Sequence, residues 1–152
     1  MRIILLRHAK SDWSTPEQDD HERPLNARGR AGAARMGEWL RSRGYVPDLV
    51  LCSDAARTRE TLDGLDLPEA RVEFRADLYQ ANADAILRTV EEAEAECVLL
   101  VGHNPGIAEA ARRACAMPPT DPDFGRYPTG ACTVVDGPLP GRCLDFATPR
   151  TP

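Results

Sequence analysis

The sequence predicts a single α/β domain, and three observations carry that expectation. Short aliphatic runs, at Ile3–Leu6, "DLVLCS" and "CVLLVGH", alternate with stretches whose apolar residues recur at helical spacing. The 152 residues are enough for one compact core and leave little room for a second. Hydrophobic residues at 42%, charged residues at 28% and aromatics at 5% give an aliphatic, globular profile, not that of a disordered or coiled chain.

From the N-terminus, Ile3–Leu6 reads as the first strand and runs straight into Arg7 and His8. A polar loop containing "DDHERPLNARG" follows, with Asn26 placed to cap a helix from about Ala27 to Arg43 that Gly44 closes. Ala33, Met36, Trp39 and Leu40 fall on one face of that helix. "DLVLCS" is the second strand, and "DAARTRETLDGL" is a short helix opened by Ser53 or Asp54. Val72–Arg75 reads as a weak third strand. Asn82 caps a helix through Glu94, with Ile86, Leu87 and Val90 turned inward. "CVLLVGH" is the most buried-looking strand, and Pro105 suits the first turn of a helix running to about Met117. "PPTDPDFGRYPTG" is a loop, and "ACTVVD" and "RCLDFA" are two last strands joined by "GPLPG". The domain is expected over residues 1–148, with 149–152 a disordered tail.

Charge and cysteine usage narrow the classes. A net charge of −5 argues against a general nucleic-acid binder, which needs a basic surface to neutralise phosphates. A GC-rich coding sequence accounts for most of the arginine, since Lys10 is the only lysine; Arg28, Arg30 and Arg59 read as surface charges. Cys52, Cys97, Cys115, Cys132 and Cys143 are scattered and odd in number, which fits reduced thiols better than a disulfide framework or a zinc site. Arg7, His8 and Lys10 interrupt the first apolar run too early for a signal peptide, and no stretch has the length of a membrane span. A cytoplasmic location with no membrane partner is the expectation.

Three strands share a design. The first exits into Arg7 and His8, the most buried one into Gly102 and His103, and the second into Ser53, with Arg57 about one helical turn later. In open α/β sheets functional groups collect outside the carboxyl ends of the strands. If these strands are parallel neighbours, two imidazoles and two guanidinium forks face one crevice and suit a tetrahedral dianion such as phosphate. His8 follows its strand directly with Arg7 beside it, so it is the better nucleophile, and His103 is a donor to the phosphoryl oxygens. Two imidazoles without a third ligand, beside arginines, make a poor metal site. Lys10 stands open between touching substrate and lying on the surface. Asn104 can donate to phosphate or cap the following helix, and capping is preferred. Ser53 reads as a cap, and His21 as incidental in an acidic loop.

The motifs "LLRHAKS", "SDAARTRET" and "VGHNP" resemble the histidine phosphatase superfamily, the phosphoglycerate mutase-like fold. "RHAKSDW", "ERPLNARGR" and "VGHNPG" together are similar to its small SixA-like phosphohistidine phosphatase branch, in the right order over roughly Arg2 to Ile107. The resemblance implies a mostly parallel, mixed central sheet with helices on both faces. It implies that His8 is the phosphorylated nucleophile, that Arg7, Arg57 and His103 bind the phosphoryl group, and that no metal or other cofactor is needed.

Many relatives place a proton-donating acid after the third strand. Here that segment is "EFRADLYQANAD", in which no residue announces itself as the acid: Asp77 is the nearest carboxylate, though capping a turn is the preferred reading, and Asp84 suits the start of a helix. An imidazole leaving group, with an ordinary pKa of about 6.5, tolerates a missing acid far better than an alcohol does. Short connections leave no lid, and an open site suits a side chain presented by another protein. The loop from Ser11 to Arg23, with Trp13, Asp12, Asp19, Asp20 and Glu22, is expected to border it. The reading is a phosphatase acting on phosphohistidine of a phosphotransfer domain in a signalling relay. The alternatives are a phosphatase of a small phosphorylated metabolite and, in another class, a non-catalytic phosphate-recognition module.

Overall fold

The computed structural model describes residues 1–152. Its six strands are β1 (Arg2–Arg7), β2 (Leu49–Ser53), β3 (Arg71–Arg75), β4 (Cys97–Gly102), β5 (Cys132–Asp136) and β6 (Arg142–Ala147). They form one sheet in the order β3-β2-β4-β1-β5-β6. The first four in that order run parallel, and β5 lies antiparallel to both β1 and β6. This is the mixed sheet of a phosphoglycerate mutase-like fold in a single α/β domain. No helix is long and apolar enough to cross a membrane.

The interiors of β1, β2 and β4 are apolar at every position because both faces of the sheet are covered, as parallel sheets require. Alternate residues of each strand supply two cores. Ile4, Leu6, Val50, Cys52, Leu99 and Val101 pack under Met36, Trp39 and Leu40 of α1 (Ala27–Ser42) and Leu65 of α2 (Ala56–Leu65). Ile3, Leu5, Leu51, Val98 and Leu100 pack under Ile86, Leu87 and Val90 of α3 (Ala83–Glu91) and Ile107, Ala110 and Ala111 of α4 (Gly106–Ala114). β3 is weak for a visible reason: it is an edge strand whose Val72 and Phe74 remain exposed, with the Arg59 guanidinium laid over the Phe74 ring.

The two asparagine caps form as expected. Asn26 accepts from the Gly29 amide and Asn82 from the Ala85 amide. Gly44 adopts a φ of +73 just past α1. Other boundaries move. α2 starts at Ala56 after Ala55, with no side-chain cap, and α3 stops at Glu91 instead of Glu94. α4 begins after Pro105, again without a side-chain cap, and ends at Ala114 instead of Met117. The segment read as loop holds a further short helix, α5 (Pro122–Arg126), capped by Asp121 with proline at its start. In the stretch expected as a loose tail, Pro149 is half-buried and stacks on Gly32 of α1 and on Gly130.

Candidate active site

Strand register brings the three strand exits together. β1 and β4 pair in parallel with Arg7 opposite Gly102, so the next residues, His8 and His103, leave the sheet side by side. Their ring centroids lie 5.3 Å apart. β2 flanks β4 on its other side with Cys52 opposite Val101, which puts Ser53 one step below His103. The backbone at His8 is pinned on two sides: its N–H donates to Gly102 and its carbonyl accepts from Gly130. The Ala9 amide donates to the Thr61 hydroxyl of α2, which itself donates to the Arg57 carbonyl. The nucleophile candidate and the helix carrying Arg57 are therefore tied through one threonine.

The cleft at these strand ends holds about 340 Å³ and is lined by Arg7, His8, Lys10, Ser11, Trp13, Arg23, Arg57, His103, Asn104 and Thr129. Every sequence-predicted site residue except Asp77 is among them. Asp77 lies outside, exposed, with its carboxylate held by Arg75 in two hydrogen bonds of 3.0 and 2.7 Å. That pairing holds it below the usual carboxylate range, the opposite of what a proton donor requires. Asp84 pairs with Arg113. No carboxylate lines the cleft.

His8 is 6% exposed and His103 4%. Nδ1 of His8 lies 2.7 Å from the carbonyl oxygen of Ala9. A carbonyl only accepts, so Nδ1 carries the proton and the Nε2 lone pair is free. Burial, opposed by the Ala9 bond and reinforced by His103, Arg7 and Arg57, pushes the His8 pKa down to about 3. Burial and then Arg57 bring His103 down to about 4. Both rings are neutral at pH 7. Nε2 of His103 bonds the Ser53 hydroxyl at 2.8 Å, so Ser53 is a partner of the second imidazole and not simply a cap.

Three arginines surround the histidines. Arg7 donates to the Tyr127 carbonyl, and Arg57 donates to both the backbone carbonyl and the carboxylate of Asp20. Arg23, which the sequence reading left unassigned inside "ERPLNARGR", donates to Ser11 and to Asp20 and stacks on Trp13 at 3.6 Å. Asp20 also accepts from the Tyr79 hydroxyl, the largest of the contacts that hold its carboxyl far below the ordinary range. Asn104 donates to the Tyr127 carbonyl instead of capping α4. His21, set aside in the sequence, is bonded to Asp54 and Glu22 and stands edge-on to Tyr79. Six buried side-chain polar atoms in the protein lack a hydrogen-bond partner, and five belong to cleft residues: Arg7, Arg23, Arg57, His103 and Asn104. The Asn104 atom is its acceptor oxygen Oδ1; the other four are ring or guanidinium nitrogens, and buried donors are nearly always satisfied, so the cleft is where this molecule is short of acceptors. A dense cationic wall around a neutral imidazole with a free lone pair can bind a phosphoryl group and attack it in line.

The family model for the histidine phosphatase superfamily (branch 1) matches residues 3–79. An uncharacterised chloroplastic protein of Arabidopsis thaliana is 38% identical over 124 residues, 72% of this chain and 57% of that one; the chain thus spans a little over half the length of that relative. An uncharacterised protein of Mycobacterium tuberculosis is 32% identical over 139 residues, 86% of this chain and 85% of its own. Among solved structures, a candidate phosphohistidine phosphatase SixA from Agrobacterium tumefaciens superposes with a TM-score of 0.84 at 31% identity, covering 97% of each chain. The protein histidine phosphatase SixA complexed with tungstate gives 0.81 at 20% identity over 99% and 98%, an agreement of fold. The family model, the mycobacterial relative and the Agrobacterium structure together show that the chain belongs to the histidine phosphatase superfamily and is SixA-like within it.

Proposed function

We propose that this chain is a phosphatase that takes a phosphoryl group onto His8, passes it to water, and acts on phosphohistidine carried by another protein. The observation that carries the reading is the Nδ1 bond from His8 to Ala9, which leaves Nε2 as a neutral nucleophile among three arginines. Nε2 attacks phosphorus and the bond to the leaving nitrogen breaks. Arg7, Arg23 and Arg57 offset the charge on the equatorial oxygens, and His103 donates its Nδ1 proton to one of them. Water then attacks the phosphohistidine, a proton passes to solvent, and inorganic phosphate leaves with His8 restored as the neutral ring.

The substrate class rests on what lines the cleft. Without a carboxylic acid at hand, an alkoxide leaves slowly, whereas an imidazole protonated on its other nitrogen departs neutral. The name given to the Agrobacterium relative points the same way. The test is phosphate release by wild type and His8→Ala from a phosphohistidine-bearing phosphotransfer protein and from an aryl phosphate. Fast release from the protein substrate, abolished by His8→Ala, is expected. Release from the aryl phosphate alone would replace this substrate by a small phosphomonoester, and release untouched by His8→Ala would remove the mechanism.

A further inference from the structure

A second, larger groove of about 910 Å³ adjoins the cleft and shares Lys10 and Thr129 with it. One wall is α1, where Arg28 and Arg35 stand seven residues apart on one face; the end of α5 and the C-terminal segment supply Arg126 and Arg150. The only acid lining it is Asp123, which is paired with Arg126. Lys10, Arg28, Arg35 and Arg150 are exposed, and none of them forms an ion pair. In a chain with 24 acidic and 19 basic residues, such a concentration of unpaired positive charge sets this groove apart from the rest of the surface.

We infer that this groove is the docking surface for acidic residues flanking the phosphohistidine of a protein substrate, a step that rests on the function proposed above. Size favours a polypeptide. Arg28 and Arg35 alone span about 10 Å of helix at 1.5 Å per residue, and a ligand must reach them while its phosphoryl group sits on His8. The composition of the groove suits a brief encounter. It offers no aromatic anchor of the kind a tight interface uses, but it offers the charge that speeds association and lets the product leave.

The test uses two synthetic peptides phosphorylated on a single histidine and flanked by four glutamates or by four glutamines. At low ionic strength wild type is expected to show a kcat/KM about tenfold higher on the glutamate peptide, with the advantage shrinking as salt screens it. The double variant Arg28→Glu/Arg35→Glu is expected to turn over both peptides at the rate wild type shows on the glutamine peptide. An advantage that survives in the double variant overturns the groove assignment, as does an equal loss on both peptides. Inorganic tripolyphosphate serves as the small-anion probe. If wild type treats the peptides alike and micromolar tripolyphosphate inhibits it but not the double variant, the groove takes a small polyanion and the inference fails. Should wild type hydrolyse neither peptide, the phosphohistidine reading fails by itself. Titration with the unphosphorylated glutamate peptide then decides the groove: weaker binding to the double variant supports it, and equal binding overturns it.

Discussion

The Ser53 hydroxyl lies 2.8 Å from Nε2 of His103, and this buried contact decides which nitrogen of His103 carries the proton. The same oxygen accepts from the Ala55 amide at 3.3 Å, and the buried hydroxyl has no acceptor in the protein other than Nε2, so its own hydrogen is directed there. Nε2 then accepts, and the proton resides on Nδ1, which has no partner in the protein. Ser53 thereby acts as a positioning residue: it presents His103 as a donor. Ser53→Ala is expected to lower kcat about tenfold with little change in KM. Nitrogen-15 shifts of the imidazole should turn from the Nδ1–H form to a mixture of tautomers. A wild-type His103 found in the Nε2–H form would contradict the assignment.

Both site histidines resist protonation, which makes stability depend on pH in a defined direction. In the unfolded chain an imidazole titrates near 6.5, whereas in the fold burial lowers His8 to about 3 and His103 to about 4. Between those limits the unfolded state binds more protons, so stability is full above pH 6.5 and falls as pH drops toward 4. The loss at pH 5 is about 2 kcal/mol for each ring relative to pH 7.5. Denaturant melts should show His8→Gln losing about half as much as wild type over that interval, and an identical loss would count against the buried, neutral His8. His21, raised first by its bond to Asp54 and then by Glu22, should titrate in the opposite sense, above 6.5.

How far the sequence could be read depends on how local each cause is. The alternating cores of β1, β2 and β4 and the caps Asn26 and Asn82 arise from neighbours in the chain, and they were legible. The meeting of Arg7, His8, Arg57 and His103 follows from strand exits once those strands lie side by side. Ser53 and Asn104 have the chemistry of caps, but each turns to a partner far away in sequence, His103 and the Tyr127 carbonyl. The loop carrying Asp20 was placed at the site's border, but the network that ties Asp20 to Arg23, Arg57 and Tyr79 was missed for the same reason, since it joins residues up to 59 apart. α5 was hidden by the prolines and glycine that surround its one buried aromatic, Phe124. Asp77, the nearest carboxylate in the sequence to the acid's place, is instead held by an arginine two residues earlier and lies outside the cleft lining.

Asp20 stands behind the cleft arginines as a fixed countercharge, joined to Arg57, Arg23 and Tyr79. An anion arriving at Arg57 meets its field. Asp20→Asn keeps the shape and removes the charge, so inorganic phosphate should bind about fivefold more tightly, of the order of 1 kcal/mol at this half-exposed position. Competitive inhibition by phosphate measures it directly. Unchanged or weaker inhibition would mean that Asp20 serves chiefly to hold the guanidinium groups in place.

Gly29 links the packing of α1 to the segment that carries His8. A Cβ at this position would collide with the backbone carbonyl of Lys10, the same carbonyl that accepts the Asn26 amide at the start of the helix. The first turn of α1 therefore rests on the chain two residues beyond His8. Gly29→Ala must displace either the helix or the Lys10 peptide, and the second movement carries Ala9 away from Thr61. The expected cost is about 1–3 kcal/mol in stability, as for other overpacked sites, with a fall in kcat/KM that outlasts correction for the unfolded fraction. Gly125, in α5, offers the comparison: a Cβ there meets nothing within 4 Å, and Gly125→Ala should be neutral or stabilising by up to about 1 kcal/mol with activity intact. Thermal melts and rates on the same preparations separate the two, and equal tolerance at both positions would show that the contact between α1 and Lys10 does not constrain the site.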